Sequence, residues 1–208
     1  MPRGVGVGGF WALLSCGLAA LCALSLLSPA WIVPHAPRGP TTAPPPVPPP
    51  PLGLLGPCLA PAPRPCAPFA LGGLRSFGDI PASAWQTSTV LCSGGCVLLA
   101  LSALLAVVSV FLPSGLLERR VCALAGYMQM AAVFITASGL LVYPLGLGSA
   151  SVKSSCGNTA GIYNVGSCQL GWGYTLAIVG VMLSGFLPFF AKYAPKEHIS
   201  PTPMPAIL

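Results

Sequence analysis

Residues 88–113 read STVLCSGGCVLLALSALLAVVSVFLP, and no side chain among them is charged. A helix needs roughly 20 mostly apolar residues to cross about 30 Å of hydrocarbon, so this run is long enough to span a bilayer. Three more uncharged runs match it, at residues 10–33, 121–147 and 170–191. The pattern predicts an all-α membrane protein, a bundle of four transmembrane helices. The expected order is a terminus at 1–9, spans at 10–33, 88–113, 121–147 and 170–191, and a tail at 192–208. Between the spans lie a long loop at 34–87, a hairpin at 114–120 and a second loop at 148–169.

Composition points the same way. Of 208 residues, 54% are hydrophobic and only 6% are charged, against about 25% charged in a soluble domain. The net charge of +6 would suggest nucleic acid only if it were clustered. Arg3, Arg38, Arg64, Arg75, Arg119, Arg120, Lys153, Lys192 and Lys196 are instead scattered near the span ends, as flanking charges at a membrane surface are. The first run could be read as a signal peptide. Its apolar length exceeds the usual core of about 7–15 residues, and Trp11 and Trp31 stand where interfacial aromatics would, so a retained helix is expected.

Four spans put both termini on one side. Arg119 and Arg120 crowd a very short connection on that side, which favours cytoplasmic termini in a multi-pass protein of the plasma membrane. The nine cysteines divide accordingly. Cys16, Cys22, Cys92, Cys96 and Cys122 lie in or beside spans, where a thiol is a small buried hydrophobe. Cys58, Cys66, Cys156 and Cys168 lie in the two loops assigned outside, where disulfides form. Four cysteines allow three connectivities. The local pairs Cys58–Cys66 and Cys156–Cys168 are preferred because each closes a short loop.

Residues 34–51 are proline-rich. The segment reads as a stiff polyproline spacer, with a ligand for an aromatic-lined groove as the competing reading. Pro81 and Ser83 suit the start of the second span, Trp85 is expected at the interface, and Tyr143-Pro144 should stop the third span. Pro188 is expected near the end of the fourth. The terminal Ala206-Ile207-Leu208 has the form that a PDZ groove accepts.

Chemistry has little to work with. The acids are Asp79, Glu118 and Glu197, and the histidines His35 and His198 fall in flanks on opposite sides. No catalytic set, metal site or cofactor is expected, so the protein reads as a non-enzyme that binds no nucleic acid. Cys92 and Cys96, one turn apart, offer a remote reading as a membrane thiol oxidoreductase, with packing cysteines favoured. Gln129 is the most polar group at depth and is expected to bond a neighbouring helix. Gly180 and Ser184 have the spacing of a close helix contact, expected inside the bundle.

Several segments resemble the lipoma HMGIC fusion partner-like (LHFPL) tetraspan family, within the claudin-like group. They are Gly53-Leu54-Leu55 with Cys58 and Cys66, Ile80-Pro81-Ala82-Ser83 with Trp85-Gln86, Gly126 with Gln129, and Tyr143-Pro144 with Gly146. Most specific is the set Cys156-Gly157-Asn158, Gly161, Tyr163, Gly166, Cys168 and Gly171-Trp172. The resemblance implies a left-handed four-helix bundle, a small extracellular β-sheet, a disulfide in the first loop and no enzyme activity. It also implies an accessory or scaffolding subunit of a larger membrane complex. Characterised members include one that escorts an inhibitory neurotransmitter receptor and one in the hair-cell mechanotransduction complex, which would connect the family to hearing. The partners implied are lipid and integral membrane proteins. Claudin-type adhesion or a paracellular barrier is the alternative. Three features depart from the pattern: Leu55 stands in for a tryptophan, the proline run replaces sheet residues, and Leu147-Gly148 replaces an aromatic and an acid.

Overall fold

The computed structural model describes residues 6–34, 51–54, 56–57, 83–113 and 115–194. Its elements are α1 (Val7–Leu27), β1 (Ile32–Pro34), β2 (Leu52–Gly53), β3 (Gly56–Pro57), α2 (Ser83–Phe111) and α3 (Leu116–Val142). A 3-10 helix (Tyr143–Gly148) leads to α4 (Ala150–Cys156), β4 (Cys168–Leu170), α5 (Trp172–Ser184) and α6 (Leu187–Tyr193). Four stretches are long and apolar enough to cross a membrane: Val7–Leu27, Ser83–Phe111, Leu116–Gly148 and Trp172–Tyr193.

Unlike a soluble bundle, this one is apolar outside as well as inside, and it buries several polar side chains. Gln129, Ser15, Ser88 and Ser102 are fully buried, whereas Leu13, Leu104, Phe134 and Met182 lie on the outside, each more than three-fifths exposed. Lipid tails solvate such an exterior, while backbone and polar groups must be satisfied within the protein. Accordingly Ser102 Oγ donates to the Leu99 carbonyl at 2.7 Å and Ser109 Oγ to that of Ala106 at 2.7 Å.

Small residues let the helices approach. A methyl group at Gly95 would collide with Thr136 of α3, and one at Gly139 would sit 2.7 Å from Cys92 Sγ of α2. These pairings run in opposite directions along the two helices, so α2 and α3 are antiparallel. Ser88 Oγ donates to the Gly139 carbonyl at 2.8 Å across that seam. On the other side of α1, Ser25 Oγ donates to the Gly173 carbonyl at 2.7 Å, and Phe10 packs edge-on against Phe190, which makes α1 antiparallel to α5 and α6.

Helix ends differ from the sequence-based spans. α1 stops at Leu27, because a residue before proline is pushed out of the helical region. Ser28, before Pro29, is extended at φ −65° and ψ 128°, and the chain turns into β1 instead of continuing as helix to 33. The second helix begins at Ser83 and the third at Leu116, so the expected connection at 114–120 is mostly helix. Glu118 in the first turn of α3 is 2% exposed. Pro188 does not end the fourth span. It lacks the N–H that would bond the Ser184 carbonyl, so the helix breaks at Gly185 and Phe186 and restarts as α6, with proline in its first turn.

The sheet has the strand order β3-β2-β1-β4, antiparallel throughout. β1 is the hinge between the two loops. Ile32 pairs with Leu52 on one side and with Leu170 on the other, and Pro34 pairs with Cys168.

Candidate functional site: the sheet-capped end of the bundle

Four aromatic rings lie under the sheet. Trp31 and Trp85 flank Tyr143, with ring centroids 4.9 Å and 5.5 Å away, and Tyr174 stacks on Tyr143 at 5.3 Å. Each tryptophan finds a carbonyl, as a buried indole must. Trp31 Nε1 donates to Ser25 at 2.8 Å and Trp85 Nε1 to Tyr143 at 3.2 Å. Tyr174 Oη donates to the Leu140 carbonyl at 3.1 Å. Trp31 and Trp85, like Trp11, are fully buried and are not interfacial anchors. Their apolar area is better removed between helices than left at the headgroups once a carbonyl is in reach of the N–H. Trp172 does remain half exposed.

Above this layer stands the second loop. Cys156 and Cys168 are disulfide-bonded with Cα atoms 5.2 Å apart. Ser167 donates to the Cys156 carbonyl twice, from its backbone N–H at 3.0 Å and from Oγ at 2.7 Å. Gly166 has φ +62°, and a Cβ there would lie 2.6 Å from the Cys156 carbonyl oxygen, so only glycine fits. Asn164 Oδ1 accepts from the Gly166 N–H at 3.1 Å.

The loop ends in a tight hairpin. Gly161 and Asn164 exchange two backbone hydrogen bonds, each 2.9 Å. Ile162 and Tyr163 are left at the tip, 62% and 68% exposed. Tyr163 adopts φ +61°, the only positive φ of a non-glycine among the described residues. That conformation costs a side-chain-bearing residue about 1–2 kcal/mol, and turns usually give it to Gly or Asn. Here it holds an aromatic ring out from a braced loop.

The other expected residues fall elsewhere. Cys58 and Cys66 lie outside the described residues, as do residues 35–50 of the proline run and the tail 195–208 with Ala206-Ile207-Leu208. Gln129 sits midway along α3, away from the cap, bridging α3 to α1. Its Oε1 accepts from Trp11 Nε1 at 3.2 Å and its Nε2 donates to Ser15 Oγ at 3.0 Å. Ser15 Oγ in turn donates to the Trp11 carbonyl at 2.8 Å. Gly180 faces α1, where a Cβ would lie 2.8 Å from Leu21 Cδ2, and Ser184 is buried one turn on. Cys92 and Cys96 are both buried free thiols. Cys92 Sγ lies 4.0 Å from Ser88 Oγ, while the Cys96 thiol is in hydrogen-bond contact with Cys22 of α1. Cys96 thus reaches across to α1.

Sequence reading missed the aromatic layer and the hairpin tip. The four rings come from four separate segments, and nothing local joins them. The tip did have a signal: Gly161 and Asn164 bracket two residues, the length of a tight hairpin loop.

Four apolar helices with polar groups buried among them and a disulfide-braced cap define a multi-pass membrane protein of the tetraspan class. A sequence profile described as lipoma HMGIC fusion partner-like protein matches residues 7–194. The chain belongs to that family. It is 37% identical over 191 residues to LHFPL tetraspan subfamily member 7 protein of Xenopus tropicalis, covering 92% of each chain. To member 2 of Homo sapiens it is 28% identical, over 88% of this chain and 85% of that one. To member 5 of Gallus gallus it is 29% identical, over 89% and 78%. No solved structure gives a significant match.

Proposed function

We propose that the protein is a non-enzymatic accessory or scaffolding subunit that binds a larger integral membrane protein through its sheet-capped end. The carrying observation is the hairpin tip: Ile162 and Tyr163 stand exposed on a loop braced by the Cys156–Cys168 disulfide, with Tyr163 in a costly left-handed conformation. An apolar pair held rigid in this way loses little entropy on binding, which is how a small contact gains affinity. Local strain kept at an exposed tip also points to use.

The cap faces outward from the plasma membrane in this reading. The positive-inside rule supports this: Arg119, Arg120 and Lys192 lie at the other end, against Lys153 among the described residues of the cap. Residues 34–87 and 148–169 are then extracellular, and 1–9, 114–120 and 192–208 cytoplasmic.

The test is native electrophoresis of surface-labelled complexes in a mild detergent. Wild type should migrate with a distinct membrane protein at fixed ratio. Ile162→Asp and Tyr163→Gly variants, delivered to the surface at the same level, should migrate as the lone tetraspan. Assemblies that ignore both substitutions would refute the role of the tip. A wild-type chain found only with its own copies at cell contacts would favour claudin-type adhesion.

A further inference from the structure

At the opposite end from the sheet, an open-sided groove of about 660 Å³ runs along the seam between α3 and α6. Its floor is the close approach of Gly126 to Ala191, where a Cβ on the glycine would lie 3.0 Å from the alanine methyl. Arg119, in the first turn of α3, and Lys192, in the last turn of α6, both line it. Glu118 is the one acid among the described residues; it is buried in the bundle and is not part of the groove lining.

The α3 wall continues from Arg119 through Ala123 and Tyr127 to Met130. At about 1.5 Å per residue this descends roughly 16 Å, about half of the roughly 30 Å hydrocarbon core. The groove is therefore one leaflet deep, cationic at its mouth and apolar below. We infer that it binds one anionic phospholipid from the adjoining leaflet, with its net-negative headgroup held by Arg119 and Lys192 and an acyl chain laid along Ala123, Tyr127 and Met130. A partner helix fits less well, since it would have to bring its own acid to the level of both cations. The anionic lipid is abundant in the cytoplasmic leaflet, where the proposed orientation puts this end.

Native mass spectrometry of the full-length chain, purified in detergent and titrated with phosphatidylserine or phosphatidylcholine, tests this. Each cation near an anionic lipid is worth about a fivefold gain in affinity, so two predict a preference of about thirtyfold for one phosphatidylserine per chain. Arg119→Gln with Lys192→Gln should abolish the preference. Ala123→Trp, which keeps both charges and fills the groove, should weaken retention of phosphatidylserine. Equal retention of the two lipids by wild type, an undiminished preference in the double glutamine variant, or undiminished retention of phosphatidylserine by Ala123→Trp would overturn the inference. So would full competition by glycerophosphoserine, which has the headgroup and no chains. The measurement uses the lone chain and is blind to the Ile162–Tyr163 tip, so this proposal and the partner proposal fail separately.

Discussion

Replacing Gln129 with leucine tests whether a polar cluster, and not only shape, joins α1 to α3. The substitution removes two interhelical hydrogen bonds, from Trp11 Nε1 at 3.2 Å and to Ser15 Oγ at 3.0 Å. Such bonds average about 0.6 kcal/mol each and reach about 1.7. It also strands the Trp11 N–H inside a fully buried site, and an orphaned buried donor costs about 1–3 kcal/mol. Leucine recovers part of this through apolar packing. The expected loss is about 2–4 kcal/mol, read by reversible unfolding of the reconstituted protein in mixed micelles. The diagnostic is the double-mutant cycle. In a Trp11→Phe background the N–H is already gone, so Gln129→Leu should cost less by about 1–2 kcal/mol. If the cost is the same in both backgrounds within about 0.5 kcal/mol, the two residues are not coupled, and the hydrogen-bond argument fails.

The remaining predictions concern the cap. Cys156→Ser opens a loop with a sequence separation of 12. Chain-entropy arithmetic puts the loss at about 3 kcal/mol, confined to the second loop, so protease should cut near Ile162 faster while the helical circular dichroism is retained. Tyr143→Phe removes a hydroxyl that is buried with no hydrogen-bond partner among the described residues; stability should stay level or rise by about 1 kcal/mol, and a loss above that would mean the hydroxyl is satisfied.

Much of the bundle was legible because the bilayer imposes a length and forbids charge, and uncharged runs of that length are hard to mistake. The ends were less legible. Ser28-Pro29 was a stop signal inside an apolar run, and the apolar residues after it, Trp31 and Ile32, belong equally well to a strand. Pro188 reads as an ending in sequence, although proline is as well suited to the first turn of a new helix. Gln129 stood out as the lone amide at depth, but its partners depend on which face of α1 turns inward, and periodicity does not reveal that face when nearly every residue is apolar. For the same reason Trp31 and Trp85 look interfacial in the sequence. Their burial is decided by carbonyls on other segments, Ser25 and Tyr143, that come within reach only after packing.

The cap and the bundle are one mechanical unit, and the reason lies at the junction of β1 with α5. The Gly171 N–H donates to the Trp31 carbonyl at 2.7 Å and the Gly173 N–H to that of Ala30 at 3.0 Å. A methyl group at Gly171 would collide with the Ala30 carbonyl, so the two chains approach too closely for any side chain. Trp31 is at once the first paired residue before β1 and a member of the aromatic layer on Tyr143 and Tyr174. A force on the Ile162–Tyr163 tip therefore passes through Cys168 and β4 into β1, and from there into α1 and α5 together. A cap hinged on flexible linkers would dissipate that force. This one delivers it to the helix packing, as the proposed partner-binding role requires of the tip's support.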